Sequence, residues 1–167
     1  MERREESAAD VSYMRLAFDE ACAAAAAGEI PVGAVVVANG AVLAHTHNLR
    51  EERQSALAHA EILAIETASA RLKSWRLEEC TIYVTLEPCI MCVGAILQAR
   101  IARLVFGCLD AKAGAVESLY RLCEDARLNH RLPVTGGILA EDCSRILTEF
   151  FSDLRKGKQR EGFSLKP

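Results

Sequence analysis

Residues 81–107 read TIYVTLEPCIMCVGAILQARIARLVFG, and this stretch determines the predicted fold. Residues 81–86 are mostly apolar and rich in β-branched side chains, which predicts a central strand. Residues 89–99 predict a helix, and residues 102–107 predict the next strand. Because the connections are short, the two strands should be parallel and joined by a right-handed crossover. Active sites of open α/β sheets lie at the carboxyl ends of such strands, which is where Cys89 falls.

The segments before this unit predict a helix and a hairpin. Asp10 is a suitable N-cap for a helix that runs to Ala27. Residues 32–38 and 41–45 predict two strands, closed by the Asn39-Gly40 pair that favours a tight hairpin turn. We therefore expect an antiparallel pair at the start of the sheet.

The segments after this unit carry weaker patterns. Residues 116–126 predict a helix, residues 134–139 a last strand, and residues 141–154 a closing helix. The fold class is therefore α/β, with helices and strands alternating along the chain.

Two short motifs predict a metal site. Cys89 and Cys92 are three residues apart and share one helix face, so both sulfurs can reach one ion. Pro88 suits the start of that helix, whose dipole favours thiolates. His59 supplies a third ligand. Zinc with three protein ligands keeps a position for water, whereas structural zinc sites normally have four. The sequence thus predicts one catalytic Zn²⁺ per chain.

Glu61 is the predicted catalytic residue. His59 and Glu61 are two residues apart and would point to opposite sides of a regular helix, so they can converge only near a helix end. We expect them to begin a helix that runs to about Arg71. Beside the metal, the Glu61 carboxylate is free to transfer protons.

Other interpretations of the cysteine motif exist. A Cys-x-x-Cys pair alone is common in structural zinc sites and redox centres. The His-x-Glu motif and the preceding proline favour catalysis, because together they form the signature of zinc nucleobase deaminases. The main alternative is a closed structural site with Cys80 or Cys108 as the fourth ligand.

Length and composition fit one domain over residues 1–167, with a core at about 11–155 and a basic tail at 155–167. The chain is 51% hydrophobic and 26% charged, which is typical of soluble globular proteins. No apolar run is long enough for a membrane span, and residues 1–6 do not resemble a signal peptide, so we expect no membrane association and a cytoplasmic location. The five cysteines outside the motif are then reduced and not part of a disulfide framework.

The net charge of −3 neither favours nor excludes an RNA partner. Residues 152–167 hold five basic and two acidic side chains. Arg155 and Lys156 begin this run, which either neutralises phosphates or is simply a solvated tail.

Further motifs carry a family resemblance. Residues 30–35 (IPVGAV), 110–115 (DAKAGA) and 128–131 (LNHR), together with the two metal motifs, resemble bacterial tRNA-specific adenosine deaminases over residues 11–155. The metal motifs are shared by a whole deaminase superfamily, and the later motifs narrow the resemblance to the tRNA branch. It implies the cytidine-deaminase fold, a three-layer α/β/α arrangement around a five-stranded mixed sheet.

The resemblance also implies a function. The protein would deaminate adenosine to inosine at the wobble position of a tRNA anticodon stem-loop, as a homodimer. Asn48 would contact the purine, Asp110 the ribose, and His130 and Arg131 nearby RNA. Either Phe150 or Phe151 could stack on a base, and the sequence does not decide between them.

Two departures from the usual bacterial pattern concern RNA contacts. They are Leu109 and residues 118–120.

Two other functions stay open at this point. The first is deamination of a free base or nucleoside, such as guanine or cytosine, and the second is RNA binding around a structural zinc without turnover.

Overall fold

Helices cover both faces of a five-stranded sheet. The structure, a computed structural model, describes the backbone of residues 7–162 and the side chains of residues 7–157. The rest of the predicted basic tail lies outside the described residues. The strands are β1 (Gly33–Ala38), β2 (Ala41–His47), β3 (Cys80–Leu86), β4 (Arg103–Cys108) and β5 (Val134–Gly136). The helices are α1 (Ala8–Ala26), α2 (Arg50–Arg53), α3 (Ala60–Leu72), α4 (Ile90–Gln98) and α5 (Ala140–Gly162).

The predicted sheet is confirmed. Its strand order is β2-β1-β3-β4-β5. Strand β1 is antiparallel to β2 and β3, whereas β3, β4 and β5 are parallel. The hairpin turns at Asn39 and Gly40, which both have positive φ angles, 49° and 77°. The mixed sheet and the βαβ unit around α4 therefore agree with the predicted three-layer fold.

Alternating side chains of each strand enter two cores. On one face, Val36, Ile82 and Leu104 pack among residues of α3 and α4. On the other face, Val35 and Tyr83 pack with α1. Helix α5 also contacts β4 and α1, so α1 and α5 form one layer and α3 and α4 form the other. No helix in residues 7–162 has the length and apolar character needed to cross a bilayer.

Two predictions about helices are wrong. Helix α1 is capped by Ser7, whose Oγ accepts the backbone N–H of Asp10 at 3.2 Å. Asp10 therefore lies inside the first turn, and its carboxylate binds elsewhere. Residues 116–126 contain only a short 3₁₀ turn, Leu122–Glu124. The backbone N–H groups of residues 116–118 donate to the side chain of Glu87, so they are not available for helical bonds.

The last strand and the last helix have boundaries that differ from the predicted ones. Strand β5 is shorter than predicted, because Gly137 and Leu139 have positive φ angles and turn the backbone into α5. Helix α5 begins at Ala140 and is longer than predicted.

The carboxylate of Asp10 joins α1 to three strands. It accepts two hydrogen bonds from Arg103, at 2.8 and 2.7 Å, and one from the Tyr83 hydroxyl at 2.9 Å. Arg103 also donates to Thr135 of β5 at 2.9 Å. The Arg103 hydrogen bonds hold the pKa of Asp10 below its ordinary value, against the opposing effect of burial. This buried network fixes α1 against β3, β4 and β5.

The Asp10→Ala variant should lower the free energy of unfolding by about 2–4 kcal/mol, because it leaves Arg103 and the buried Tyr83 hydroxyl without their acceptor. Urea denaturation measures this loss. The matched control is Glu78→Ala, which breaks an exposed ion pair with Arg76 and should cost less than about 1 kcal/mol. Equal losses in the two variants would contradict the structural role of Asp10.

The stabilisation by Asp10 should also depend on pH. Because folding lowers the pKa of this carboxyl, its contribution is present above the unfolded-state pKa of about 4 and is lost as pH falls through the lower folded value. The difference in unfolding free energy between wild type and Asp10→Ala should therefore shrink on acidification from pH 7. A difference that grows towards low pH would contradict this assignment.

Candidate active site

Three side chains converge at the ends of two helices. His59 is the N-cap of α3 and Cys89 is the N-cap of α4, both with extended backbone, and Cys92 lies in the first turn of α4. His59 Nδ1 lies 3.8 Å from the Cys89 sulfur and 3.5 Å from the Cys92 sulfur. Among the described residues, this is the group of His, Cys, Asp or Glu whose ligand atoms could hold a metal ion. Pro88 precedes the N-cap and so lies just outside the helix.

The distances from the His59 nitrogen to the two sulfurs fit a tetrahedral zinc site. Zn–S bonds of about 2.3 Å and Zn–N bonds of about 2.0–2.1 Å place nitrogen and sulfur about 3.6 Å apart at a tetrahedral angle. Both measured distances are close to that value. Neither Cys80 nor Cys108 belongs to the group: Cys80 begins β3, far from its carboxyl end, and the Cys108 thiol donates to the Thr85 carbonyl at 3.6 Å.

A hydrogen bond between the two thiols shifts their pKa values in opposite directions. A hydrogen bond from the Cys92 thiol, with further help from His59 and the Cys92 backbone N–H, lowers the pKa of Cys89 to about 3. The same hydrogen bond raises the pKa of Cys92, and burial adds to this. The hydrogen bond with Cys89 raises the pKa of His59. A bound cation would replace these protons, because thiolate and neutral imidazole are the metal-binding forms.

Glu61 lies beside the ligands in the first turn of α3. Its side chain is buried, and it lines the same cavity as His59 and Cys89. Burial raises the pKa of its carboxyl above the ordinary value. A carboxyl that retains affinity for a proton in this place is suited to both accept and donate protons.

His59 and Cys89 of the metal group form, with Glu61, the floor of a cavity of about 800 Å³. It lies at the carboxyl ends of β3 and β4, as predicted from the sheet topology. Three segments form its walls: the start of α2, the loop after β4, and one face of α5. Their lining residues include Asn48, Arg50, Leu109, Asp110, Lys112, Leu147, Phe151 and Arg155.

Several predicted substrate-binding residues lie in this cavity. Asn48 is buried; its amide nitrogen donates to the Ile30 carbonyl at 3.3 Å and its oxygen accepts from the Arg50 N–H at 3.2 Å. Asp110 accepts from the backbone N–H groups of the next turn. Arg155 lines the wall from α5. Of the two phenylalanines, Phe151 lines the cavity, and Phe150 packs edge-to-face against it at 5.6 Å.

Three predicted residues do not reach the cavity. His130 contacts the Ile101 carbonyl at 2.9 Å, just before β4 begins and thus at the opposite edge of the sheet. Arg131 is its neighbour and is exposed, and Lys156 is exposed on α5 next to Arg155. None of the three lines the cavity. His130 and Arg131 lie away from the cavity because the loop after the 3₁₀ turn returns to the start of β4 and not to its end.

Two buried glutamates escaped prediction. Glu29 accepts the backbone N–H groups of Glu51 and Glu52, at 3.2 and 2.7 Å, and so holds α2 in place. Glu87 accepts four backbone N–H groups from the loop after β4. Burial alone would raise the pKa of Glu87, but the hydrogen bonds from Ser118 and these N–H groups lower it. The sequence signal that could have identified Glu87 is its position as an acidic residue between the apolar strand β3 and Pro88.

Comparison with known sequences identifies relatives over most of the chain. A family model described as MafB19-like deaminase matches residues 8–155. The "tRNA-specific adenosine deaminase" of Bacillus subtilis (strain 168) is 47% identical over 150 residues, which are 90% of this chain and 93% of that protein. The protein of the same name from Haemophilus influenzae is 46% identical over 158 residues, or 94% of this chain and 91% of its own.

Solved structures give a consistent result. One, from work on A-to-I editing by tRNA:A34 deaminases at the wobble position of transfer RNA, superposes with a TM-score of 0.79 at 42% identity and covers 81% of this chain and 99% of its own. A guanine deaminase from Bacillus subtilis superposes with a TM-score of 0.58 at 28% identity and covers 87% of this chain and 92% of its own.

The similarity spans the metal group, Glu61 and the walls of the cavity, and it is greater to the tRNA enzymes than to the guanine enzyme. This chain belongs to the family of tRNA-specific adenosine deaminases.

Proposed function

We propose that this protein converts adenosine to inosine at the wobble position of a tRNA anticodon, with one Zn²⁺ per chain. The observation that carries the proposal is that His59, Cys89 and Cys92 form one possible metal site and that Glu61 lines an open cavity together with His59 and Cys89. Family membership supports the choice of adenosine in tRNA as the substrate.

The reaction consumes one water and releases one ammonia. His59, Cys89 and Cys92 would hold the zinc, which when bound supplies a Lewis acid that makes water reactive near neutral pH. Glu61 takes a proton from the attacking water and delivers it to N1 of adenine as the C6–O bond forms. It then takes the second proton, from the new C6 hydroxyl, and gives it to the amine as the C6–N bond breaks and the C6 carbonyl forms. The raised pKa of Glu61 fits the first step, because a more basic carboxylate takes the water proton more readily.

The cavity suits an RNA loop better than a free base. Its volume of about 800 Å³ exceeds the size of a purine, and its lining extends along α5 from Ser144 to Arg155. Arg50, Lys112 and Arg155 lie on three different walls and can neutralise phosphates of flanking nucleotides. Phe151 offers an exposed ring on which a base can stack. Asn48 and Asp110 remain our candidates for contacts to the target nucleotide.

We also propose a homodimer in the cytoplasm. Leu57, Ile90, Leu119 and Tyr120 are large apolar side chains that are at least half exposed and lie on segments next to the metal group. Burying such side chains against a second copy would remove them from water. Light scattering should give the mass of two chains; a monomer that is active on RNA would contradict the dimer.

A cytoplasmic location agrees with a tRNA substrate and with unpaired cysteines.

Loss of a metal ligand should remove both zinc and activity. Cys89→Ser and Cys92→Ser should bind less than one tenth of the zinc of the wild type, because each loses one of three ligands. Cys80→Ser and Cys108→Ser are the matched controls and should keep one zinc per chain. Atomic absorption on purified protein measures this, and zinc loss in either control would indicate a closed four-ligand site.

Glu61→Gln should separate chemistry from structure. It should keep zinc, fold and RNA affinity but lose at least ~100-fold in kcat, because an amide cannot transfer the proton. Zinc content and RNA binding are measured on the same preparation as single-turnover rates. Substantial deamination by this variant would show that another group is the proton shuttle.

The substrate is tested by comparing RNA with free bases. An anticodon stem-loop with adenosine at the first anticodon position should be deaminated, and free adenosine, guanine and cytosine should not. If three phosphates are contacted, a fourfold rise in salt should weaken RNA binding roughly 20-fold. Arg155→Ala should reduce that salt dependence, whereas Arg76→Ala, in a loop outside the cavity, should not. Efficient, salt-insensitive turnover of guanine or cytosine would contradict the RNA substrate.

A further inference from the structure

We propose that Glu87 is a positioning residue for the substrate: its buried carboxylate holds residues 110–118 in place as the wall against which the target nucleotide binds. We call these residues the anchored loop. The proposal deepens the proposed function and rests on it for the identity of the substrate. The anchoring itself rests only on contacts within the chain.

The Glu87 carboxylate is saturated by the anchored loop. One oxygen accepts the backbone N–H groups of Val116, Glu117 and Ser118, at 3.1, 2.7 and 2.9 Å. The other accepts the backbone N–H of Asp110 at 2.9 Å and the hydroxyl of Ser118. The side chain is only 2% exposed. Hydrogen bonds to an ionised acceptor are stronger than those between neutral groups, so this one residue gathers both ends of the loop.

The anchored loop is also held by a bond from the Gly114 N–H to the Asp110 carbonyl, at 2.9 Å, and by Ala115 and Val116, which are buried in the core. It contains no helix or strand, although Ala115 donates to the Pro88 carbonyl at 2.9 Å and Gly114 forms a bridge with Cys89. The contacts with Pro88 and Cys89, like those with Glu87, are made to one short segment. They tie the loop to the end of β3 and the start of α4, the same backbone that places the Cys89 sulfur.

Gly114 gives independent evidence of the close fit. A Cβ atom at this position would overlap the Glu87 carboxylate, with all three of its terminal atoms too close. The loop backbone thus lies directly on the carboxylate, and a residue with a side chain would push them apart. Close approach, and not backbone conformation, explains glycine here, because its φ angle is not positive.

The other side of the anchored loop faces the substrate cavity. Asp110, Ala111, Lys112 and Ala113 line it. The carboxylate of Asp110 accepts the N–H groups of Lys112 and Ala113, at 3.0 and 3.2 Å, so it orders the turn that carries Lys112. If the anchored loop shifts relative to the Glu87 carboxylate, the cavity wall that it forms shifts with it. Because the oxygens of Glu87 are engaged by the loop, it acts on the substrate through these residues.

The test is Glu87→Gln, which keeps the shape but turns one acceptor oxygen into an amide group that faces N–H and O–H donors. We expect KM for the anticodon stem-loop to rise at least tenfold, with kcat within threefold and zinc unchanged. The wall touches parts of the substrate remote from the reacting atoms, so its loss affects ground and transition states alike. Gly114→Ala should reproduce this pattern. The controls are Glu66→Gln, on an exposed side chain, and Gly94→Ala, where an added Cβ meets nothing within 4 Å.

A double-mutant cycle shows whether Glu87 acts through the wall. If it does, Glu87→Gln combined with Lys112→Ala should raise KM by clearly less than the product of the two single effects. The proposal is overturned if the two single effects on KM multiply fully in the double variant, or if Glu87→Gln has the KM of the wild type. It is also overturned if Glu87→Gln loses zinc and kcat while its KM is unchanged. If Glu87→Gln fails to fold, Ser118→Ala removes one of the same hydrogen bonds; it should raise KM about threefold, and unchanged kinetics would overturn the proposal.

Amide hydrogen exchange tests the anchor without any substrate. The N–H groups of residues 116–118 should exchange slowly in the wild type and at least tenfold faster in Glu87→Gln, while α3 is unchanged. Equal exchange in both proteins would overturn the anchor. Failure of the proposed function would appear separately, as a wild-type protein that does not deaminate the stem-loop.

Discussion

The meeting of two helix N-termini, at His59 and Cys89, is the constraint on which the site depends. Each residue caps its helix with extended backbone, so its side chain points beyond the helix end and not along its side. This allows residues 59 and 61 to face one centre although a regular helix would separate them. The parallel β3–α4–β4 unit then places the centre at the carboxyl edge of the sheet, and the positive ends of both helix dipoles favour the thiolates. Metal ligands, proton carrier and cavity floor follow from this one junction.

Buried carboxylates organise what surrounds the junction. Glu29 holds the start of α2, next to Asn48 and Arg50, and Glu87 holds the loop that bears Asp110 and Lys112. Asp10 fixes α1 against the strands. Each carboxylate is satisfied by several donors, which offsets its desolvation, and no buried side-chain polar atom among the described residues lacks a partner. A short helix and a loop without regular structure are thereby held in place as walls of the cavity.

Local patterns made the centre of the protein predictable. The β3–α4–β4 unit, the Asn39-Gly40 hairpin and the convergence of His59 with Cys89 and Cys92 depend on periodicity or short spacing, and the structure has them all. The carboxylates of Asp10 and Glu87 depend on partners far along the chain, such as Arg103 and Ser118, which no local pattern indicates. For the same reason the helix expected at residues 116–126 is absent. His130 shows why the position of a loop residue is hard to predict from sequence. Its motif resembles the family, but its position at the start of β4 depends on the path of the whole loop.

The central claim is that this junction acts on one nucleotide of a folded RNA. The most direct measurement is sequencing of a full-length tRNA after incubation with zinc-loaded protein, since inosine is read as guanosine, together with the ammonia released. A tRNA with adenosine at the first anticodon position should show complete conversion at that position alone, with one ammonia for each inosine. No conversion there by protein that holds one zinc per chain, or equal conversion of adenosines throughout the loop, would contradict the account.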